Sequence, residues 1–345
     1  MKENILLNKN MPKLTIITAT FNLIKDNRID FFKQSLESAH NQTYENIEHI
    51  VIDGASTDGT IEVLKEYKKK GWIDYYSEPD TGMWNAMNKG IKKATGDFIV
   101  FLNSDDYYAN NNIIEICMKQ IVKENADYSF ANQCVVQRYS NDVILKAQAM
   151  PLELFFIAPT FHHETFICKK SVYEDLNYYN EKYKTAIDYD FNIKLALSDY
   201  KYTHINYTMI VIRIGGATST IDGRPSEQTL ANVATLFIDC FGSFYDLDYN
   251  MCCNMLCNHI YPPNFLRLLE EYVILKKLKN FNYSFFIDYI NRLEYSTSMI
   301  TTRVKSTKKT YKFFDFLPLM TVKIKNNKTY YKLFGIIPIF VAKVK

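Results

Sequence analysis

LTIITATFN (residues 14–22), IEHIVIDGAS (47–56), IDYYSEPD (73–80) and FIVFLNSDD (98–106) decide the fold, because each is a short apolar run that ends in polar residues. Between these runs, residues 28–40, 56–70 and 82–94 carry apolar side chains at helical spacing. Strands that alternate with helices indicate a parallel sheet with helices on both faces. The sequence therefore predicts an α/β fold with a mostly parallel central sheet.

The polar residues after the four predicted strands point to one shared site. Ligands of such sheets bind beyond the carboxyl ends of the strands. One such group alone is ordinary turn chemistry, but four groups that converge on one edge predict a site. The groups are Thr20-Phe21-Asn22, Asp53-Gly54-Ala55-Ser56, Glu78-Pro79-Asp80 and Asn103-Ser104-Asp105-Asp106.

The carboxylates of the fourth group suit a hard divalent cation, which can bridge the two phosphates of a nucleotide diphosphate. The alternative is an acidic turn that caps the helix predicted to begin near Asn110. At the second strand end, Asp53 can accept a hydrogen bond from the imide N–H of a uracil, and Phe21 can stack on a base. The alternatives are a turn residue for Asp53 and a core residue for Phe21.

A general base is suggested by Asp188, near the start of a helix predicted over residues 187–197. A carboxylate can take the proton of an attacking sugar hydroxyl, and a helix N-terminus stabilises the anion. Plain helix capping by Asp188 or Asp190 is the alternative. The pair His162 and His163 has a metal or acceptor role as one interpretation and structural hydrogen bonding as the other.

The rest of the chain divides by pattern. Residues 145–218, with one or two strands over 203–214, complete the first domain, which we place at 1–220. Residues 221–300 form a predicted helical extension. Residues 301–345 form a tail in which 311–319 resembles 331–339 at an offset of 20 positions.

Composition excludes several classes of protein. With 47% hydrophobic residues the chain can bury a core, and a net charge of +3 argues against a nucleic-acid partner. No signal-peptide core and no run of roughly 20 apolar residues is present, so we expect a cytoplasmic protein. Seven scattered cysteines form no disulfide framework. The cluster of Cys252, Cys253, Cys257 and His259 fits no standard zinc spacing and is interpreted as buried apolar residues.

The tail allows two interpretations. Each copy of the repeat has about ten apolar residues, too few to span a bilayer, and each is followed by alternating lysines. Such a segment can make peripheral contact with the anionic inner face of the cytoplasmic membrane. The alternative is two strand hairpins folded against the helical region, with the lysines simply solvated.

Several stretches resemble a known family. Residues 14–22, 51–60 and 101–106 are similar to GT-A-fold family 2 glycosyltransferases. The stretches Ser77–Gly90, 162–166, 186–191 and 213–216 resemble, in order, the subgroup that builds bacterial O-antigen, capsule or lipooligosaccharide chains. The resemblance covers roughly residues 13–220 and implies a GT-A fold, which is Rossmann-like.

The resemblance also implies roles for individual residues. Asp188 matches the catalytic base, and Asp105 matches the D-x-D residue that binds Mn²⁺ or Mg²⁺, with Asn103 at the first D-x-D position. Asn85 stands where the subgroup usually has Asp and receives no catalytic role. The nucleotide-binding candidates are Thr20, Phe21, Asn22, Asp53 and Ser104. The donor- or acceptor-binding candidates are Glu78, Asp80, Trp84, Asn88, Lys89, His162 and His163.

The predicted function is inverting transfer of a sugar from a nucleotide-diphosphate donor, expected to be UDP-linked, to a glycan or lipid-linked glycan. A sugar nucleotidyltransferase would need a glycine-rich basic loop after the first strand, and residues 20–25 contain no glycine. An inactive glycan-binding scaffold is the other alternative. It would be favoured by loss of the acidic positions, whereas Asp53, Asp105 and Asp188 are all present.

Overall fold

The structure is a computed structural model that describes most of the chain. The described residues are 11–149, 153, 162–214, 227–242, 245–258, 261–262, 264–279, 281–292, 320–325, 328–333 and 337–343. The chain separates into two compact units. The first contains residues 1–150, 160–194 and 200–213, and the second contains 151–159, 195–199 and 214–345.

The first unit begins with alternating strands and helices, as the sequence predicts. Its strands are β1 (Leu14–Thr20), β2 (Ile47–Asp53), β3 (Asp74–Ser77) and β4 (Phe98–Phe101). The helices between them are α1 (Ile29–His40), α2 (Thr60–Lys69) and α3 (Met83–Lys93). The sequence predicts the first two strands over residues 14–20 and 47–53, and β1 and β2 have these limits, because both are short β-branched, largely apolar segments that are followed by polar turn residues.

The remainder of the first unit is a mixture of strands and short helices. Its strands are β5 (Tyr107–Tyr108), β6 (Tyr128–Val136), β7 (Val143–Ala147), β8 (Phe166–Lys169) and β9 (Tyr202–Arg213). Its helices are α4 (Ile113–Glu124), α5 (Lys170–Asp175) and α6 (Ile187–Ala196), with 3₁₀ turns at His163–Thr165 and Glu181–Tyr183. The region predicted to hold one or two strands near 203–214 is a single strand.

One nine-stranded sheet organises this unit, in the order β3-β2-β1-β4-β8-β6-β9-β5, with β7 paired to β6. Strands β1 to β4 are parallel, with Leu14 opposite Ile47 and Thr20 opposite Asp53. Strand β8 then runs antiparallel between β4 and β6. The carboxyl ends of β1, β2 and β3 therefore meet at one edge, as expected for the first half of the sheet.

Helices cover both faces of the parallel strands. On one face, Val51 packs in a core with Phe32 and Leu36 of α1 and Leu64 of α2. On the other face, Ile17 and Ile52 lie against Gly90 of α3. An aromatic cluster continues this second face toward α5 and α6, and it contains Phe101, Tyr173, Tyr179 and Phe191.

Helix α2 begins four residues later than the pattern of residues 56–70 predicts. The residues before it form a hydrogen-bonded loop, because the Asp53 carboxylate accepts from the Ser56 N–H at 2.8 Å. Gly59 has a φ of 97°, a left-handed conformation that glycine tolerates, and the Asp58 side chain accepts from the Thr60 N–H at 3.1 Å. Side-chain hydrogen bonds to the backbone compete with helix formation here.

The part of the second unit that precedes the tail contains helices, as predicted: α7 (Glu227–Phe241), α8 (Tyr249–Asn258) and α9 (Phe265–Leu275). Phe241 packs edge to face against Phe237 and Phe265. Cys252 is buried, in agreement with the apolar interpretation. The side chains of Cys253 and Cys257, and all of His259, lie outside the described residues. None of the helices that the structure describes has the length and apolar character needed to cross a membrane.

The tail contains three strands, β10 (Met320–Lys325), β11 (Lys328–Leu333) and β12 (Ile337–Lys343), which pair antiparallel in that order. The second copy of the repeat thus spans the end of β11 and the start of β12, and the first copy at 311–319 lies outside the described residues. The backbone has the two strand pairs of the hairpin alternative, and the membrane interpretation stays a prediction.

We predict that Gly90→Ala lowers the free energy of unfolding by about 1–3 kcal/mol, even though alanine is the better helix former. A Cβ at this position would lie 2.5 Å from Cγ2 of Ile17, which is fully buried and cannot move away. Urea denaturation measures the change. Lys65→Ala on the exposed side of α2 is the control and should stay within about 0.5 kcal/mol of the wild type. Equal stability of Gly90→Ala and wild type would contradict this close packing.

Candidate active site

The Asp53 carboxylate joins the ends of the three parallel strands. It is fully buried. Its Oδ1 accepts from Oγ1 of Thr20 at the end of β1 (3.1 Å) and from Oγ of Ser56 (2.6 Å). Its Oδ2 accepts from Oγ of Ser77 at the end of β3 (2.8 Å) and from the Ser56 N–H (2.8 Å). Four such bonds use about all the acceptor capacity of a carboxylate.

Asn22 joins the first two strand-end loops. It has a φ of 45°, a left-handed conformation that asparagine tolerates better than most residues. Its N–H donates to Oγ of Ser56 at 2.8 Å, and its Oδ1 accepts from the N–H of Thr57 at 3.0 Å. The structure therefore brings Thr20, Asn22 and Asp53 together, and their predicted contacts with a nucleotide remain predictions.

An exposed aromatic ring lies at the same edge. The Phe21 side chain is 53% exposed, so the core alternative for this residue is wrong. A Cβ added to Gly54 would lie 3.2 Å from the Phe21 ring and 2.8 Å from Oδ2 of Asp80. Glycine at position 54 thus lets the ring and the Asp80 carboxylate approach the backbone between them. The arrangement offers a flat apolar face beside an acceptor, which suits a base.

The predicted donor- or acceptor-binding residues after β3 separate into two groups. Glu78 is exposed, and Asp80 is half-buried and accepts from the Gly82 N–H at 2.8 Å. Lys89 reaches back to this loop and donates to the Pro79 carbonyl at 2.7 Å. These side chains line the edge of the sheet and are accessible to a ligand.

The other group, Trp84 and Asn88, is buried and packs against other parts of the site. Trp84 is 8% exposed and packs against the rings of His163 and Tyr179, with centroids 5.2 and 4.9 Å away. Both ends of the buried Asn88 amide bond to the Tyr179 backbone: Nδ2 donates to the carbonyl at 2.9 Å, and Oδ1 accepts from the N–H at 3.0 Å. Asn88 therefore fixes residues 179–183 beside α3.

Glu181 belongs to this site although the sequence did not single it out. Its carboxylate accepts hydrogen bonds from Oγ1 of Thr81 and from Nδ2 of Asn85 and Asn88, at 3.0–3.2 Å. Burial would raise the pKa of Glu181, but these donors lower it overall. Asn85 acts here as a donor to a carboxylate, which an aspartate could not do without a proton.

The fourth strand end meets the 3₁₀ turn at His163–Thr165. The Asn103 N–H donates to Oε1 of Glu164 at 2.8 Å, and Asp106 accepts from the Arg213 N–H at 2.7 Å. Burial raises the pKa of Glu164 to about 8. Burial is the main cause that raises the pKa of Asp106 well above its usual range, and the charges of Glu164 and Asp105 raise it further. At neutral pH the two buried carboxyls therefore retain at least one proton between them.

Asp105, the predicted metal ligand, is paired with an arginine. Nη2 of Arg138 lies 2.8 Å from its Oδ2, and the two side chains are 17% and 16% exposed. The hydroxyl of the neighbouring Ser104 accepts from Arg28 at 3.5 Å, and the same guanidinium donates to the Phe21 carbonyl at 2.9 Å. Arg28 thus connects the first and fourth strand ends.

The paired histidines lie next to the predicted base, with His163 buried and His162 partly exposed. Nδ1 of His162 lies 3.3 Å from Oε2 of Glu164, and Nδ1 of His163 lies 3.9 Å from Oδ2 of Asp188. Burial lowers the pKa of both imidazoles, so both are neutral at pH 7. Among the described residues, neither ring nitrogen of His163 has a hydrogen-bond partner. The ligand atoms of residues 162–164 lie within 4.8 Å of one another, close enough to bind one metal ion.

Asp188 lies in the first turn of α6 with 30% of its side chain exposed. Its Oδ1 accepts from the Tyr189 N–H at 2.9 Å. Burial raises the pKa of Asp188, and the nearby His162 partly offsets the increase. Asp190, by contrast, is 4% exposed and forms an ion pair with Lys194 at 2.6 Å. Of the two acids, Asp188 is the one with an accessible carboxylate.

The fold and these strand ends are of the GT-A type. Residues 15–176, just under half of the chain, match the sequence model of glycosyl transferase family 2. This part of the chain is therefore similar to glycosyltransferase family 2.

Two relatives agree with this assignment. A protein of Rickettsia bellii described as an uncharacterized glycosyltransferase is 38% identical over 130 residues, 37% of this chain and 19% of the relative. One of Haemophilus influenzae with the same description is 33% identical over 129 residues, 36% of this chain and 50% of the relative. The chain thus spans about a fifth of the length of the first relative and half of the length of the second.

Two solved structures share the fold. TarS 1–349 of S. aureus, in complex with UDP-GlcNAc, matches with a TM-score of 0.53 at 16% identity, over 95% of this chain and 99% of TarS 1–349. The mannosyltransferase PcManGT of Pyrobaculum calidifontis, in complex with GDP-Man and Mn²⁺, matches with a TM-score of 0.50 at 18% identity, over 87% of this chain and 78% of PcManGT.

We predict that Asp53→Asn lowers the free energy of unfolding by about 2 kcal/mol, because the amide NH₂ would face groups that now donate to a carboxylate. Chemical denaturation measures the loss. Asp74→Asn, at the exposed start of β3, is the matched control and should be nearly neutral. If Asp53→Asn keeps full stability and loses only nucleotide affinity, the carboxylate does not hold the strand ends together.

Proposed function

We propose that the chain is an inverting glycosyltransferase that moves a sugar from a UDP-linked donor to a glycan acceptor in bacterial surface polysaccharide synthesis. One observation carries the proposal. The accessible Asp188 carboxylate, the Asp105 carboxylate and the exposed Phe21 ring all belong to the first unit, of which residues 15–176 match the model of family 2. These are the groups that a nucleotide-sugar transfer needs.

The donor class follows from the neighbours and from the first two strand ends. TarS 1–349 was solved with UDP-GlcNAc and PcManGT with GDP-Man, so this fold accepts nucleoside-diphosphate sugars. The exposed ring of Phe21 offers a stacking face, and the half-buried carboxylate of Asp80 lies beside it. Binding assays with UDP, GDP and their sugars discriminate among donors, and a clear preference for GDP would contradict the UDP part of the proposal.

The reaction needs one proton acceptor and a single in-line displacement at the anomeric carbon of the donor sugar. An acceptor hydroxyl gives its proton to the Asp188 carboxylate while its oxygen attacks the anomeric carbon. The bond from that carbon to the diphosphate oxygen breaks with inversion, and the nucleoside diphosphate leaves with the electron pair. The raised pKa of Asp188 makes its anion a stronger base than an ordinary carboxylate.

The residues present fit a divalent cation. The hydrogen bonds of the described residues engage Oδ2 of Asp105 and leave Oδ1 available. Buried nitrogens of His162 and His163 and Oε2 of Glu164 lack hydrogen-bond partners in the described part of the chain. Carboxylate oxygens such as those of Asp105 suit Mn²⁺ and Mg²⁺, whereas neutral imidazoles suit Zn²⁺ and other transition metals. When bound at Asp105, the cation would neutralise charge on the departing diphosphate.

We propose further that the acceptor is located at a membrane surface. A lipid-linked glycan would place the reaction at a membrane surface, and the alternating lysines of the tail, two of which lie in β10, suit anionic headgroups. Flotation with anionic liposomes tests this contact. A chain truncated after Thr310 that floats as well as the full chain would contradict it.

We predict that Asp188→Asn lowers the rate of transfer by about two to four powers of ten while donor affinity barely changes. The amide keeps the shape of the side chain but cannot take a proton. Sugar transfer to acceptor is measured with labelled donor. Asp190→Asn is the matched control, because Asp190 is engaged by Lys194, and it should keep the rate within about tenfold.

The pH profile gives a second readout of the same prediction. A base acts in its deprotonated form, so kcat/KM should fall as the pH drops through the raised pKa of Asp188, above the range of an ordinary carboxylate. The decline should be absent from the residual activity of Asp188→Asn and present in Asp190→Asn. Wild-type turnover in Asp188→Asn would assign the base role to Asp190.

We predict that activity needs Mn²⁺ or Mg²⁺, disappears with EDTA, and is restored by added metal. Asp105→Ala should abolish metal-dependent binding of the donor, because the diphosphate loses its charge-neutralising partner. Calorimetry of UDP binding with and without metal measures the effect. Full activity in EDTA would mean that a cationic side chain neutralises the diphosphate without metal.

A further inference from the structure

The ion pair between Arg138 and Asp105 occupies the carboxylate that the proposed function assigns to a metal. Nη2 of Arg138 lies 2.8 Å from Oδ2 of Asp105, and both side chains are more than four-fifths buried. Arg138 follows the end of β6, in a turn closed by the Gln137 N–H, which donates to the Asp142 carbonyl at 2.9 Å. No strand-end motif pointed to this residue.

The second arginine at this site is fixed in place. Arg213 is 4% exposed, and its guanidinium lies 4.7 Å from the ring centroid of Phe31 and 4.8 Å from that of Tyr107. Its side chain donates to the Asp105 carbonyl and to Oε1 of Gln34. Arg213 is therefore held by its backbone, by two aromatic rings and by two acceptors.

Arg138 has a different setting. It lies on the turn between β6 and β7, and Tyr139 next to it is 83% exposed. Its guanidinium lies 5.7 Å from the Phe31 ring centroid, at the edge of the arrangement that holds Arg213. A side chain on a surface turn can change partner at a smaller cost than one packed between two rings.

A divalent cation at Oδ1 of Asp105 would lie close to the guanidinium that Arg138 holds at Oδ2, and two cations this close repel each other. A nucleoside diphosphate brings negative oxygens into the same space. Guanidinium groups bind phosphate oxygens through paired, charge-assisted hydrogen bonds. A displaced Arg138 would therefore find a new partner when donor and cation arrive together.

We propose that Arg138 is a donor-binding residue with two partners: the Asp105 carboxylate when the site is empty, and the diphosphate of the donor when nucleotide and cation are bound. The proposal rests on the proposed function. Without nucleotide, Arg138 opposes binding of the metal at Asp105. With nucleotide bound, Arg138 stabilises the bound diphosphate. Removing the guanidinium must then change the two affinities in opposite directions.

The first measurement is Mn²⁺ binding without nucleotide, followed by the electron paramagnetic resonance signal of free Mn²⁺. Arg138→Gln should bind Mn²⁺ about tenfold more tightly than wild type, because the carboxylate no longer has to leave a largely buried ion pair. The control is Lys169→Gln. Lys169 forms a 2.7 Å ion pair with Asp127 at the junction of β8 and α5, and its loss should leave Mn²⁺ binding unchanged.

The second measurement is calorimetry of UDP and of uridine at saturating Mn²⁺. Arg138→Gln should weaken UDP by at least about tenfold and leave uridine unchanged, because only UDP offers the diphosphate. Arg138→Lys, which keeps the charge but not the paired donors, should bind Mn²⁺ like wild type and UDP with intermediate affinity. It also serves as the test variant if Arg138→Gln does not fold by thermal melting.

Two outcomes would overturn the proposal. Unchanged affinities for both Mn²⁺ and UDP in Arg138→Gln would mean that the ion pair is a bystander. A parallel loss of both, with uridine also weakened, would mean that Arg138 only supports the structure of the site. Failure of the proposed function looks different, since wild-type protein would then bind neither UDP nor Mn²⁺, and the role of Arg138 would fall with it.

Discussion

The buried carboxylate of Asp53 is the constraint on which the arrangement of the site depends. It accepts four hydrogen bonds, from residues at the ends of β1 and β3 and from the loop that follows β2. An unpaired anion here would be costly, so the surrounding hydroxyls and the Ser56 N–H have little freedom. These hydrogen bonds therefore also fix the loops of residues 20–28 and 53–60, and the first of these loops positions the exposed ring of Phe21.

Around the fourth strand end, charge is balanced in a different way. Asp106 and Glu164 are both buried, and burial raises the pKa of each carboxyl. Asp105, one residue earlier, forms an ion pair with Arg138. Neighbouring acids in one short loop thus have separate partners: Asp106 bonds to the backbone of β9, and Asp105 contacts a side chain on the turn after β6.

The sequence predicts the first half of the sheet well because β1, β2 and β4 are mostly buried and rich in β-branched and apolar residues. The limits of β1 and β2 follow from that pattern alone, and the strand-end rule brings Thr20, Asn22 and Asp53 together. Side-chain hydrogen bonds that no periodicity reveals displace the start of α2 to Thr60. Arg138 and Glu181 were missed for another reason: a turn after β6 and a 3₁₀ turn carry no local pattern, and only long-range pairing places them at the site.

The amide of Asn88 makes both of its backbone hydrogen bonds with Tyr179, across a separation of 91 residues. This separation has a consequence for synthesis of the chain. Thr20, Asn22, Asp53 and Asp105 have all been synthesised once residues near 106 have emerged, whereas Tyr179 arrives about 70 residues later, or several seconds at ordinary rates of translation. During that interval α3 lacks its partner, and the aromatic face that packs on Trp84 is uncovered. A nascent chain of this length therefore exposes apolar surface that the complete chain buries.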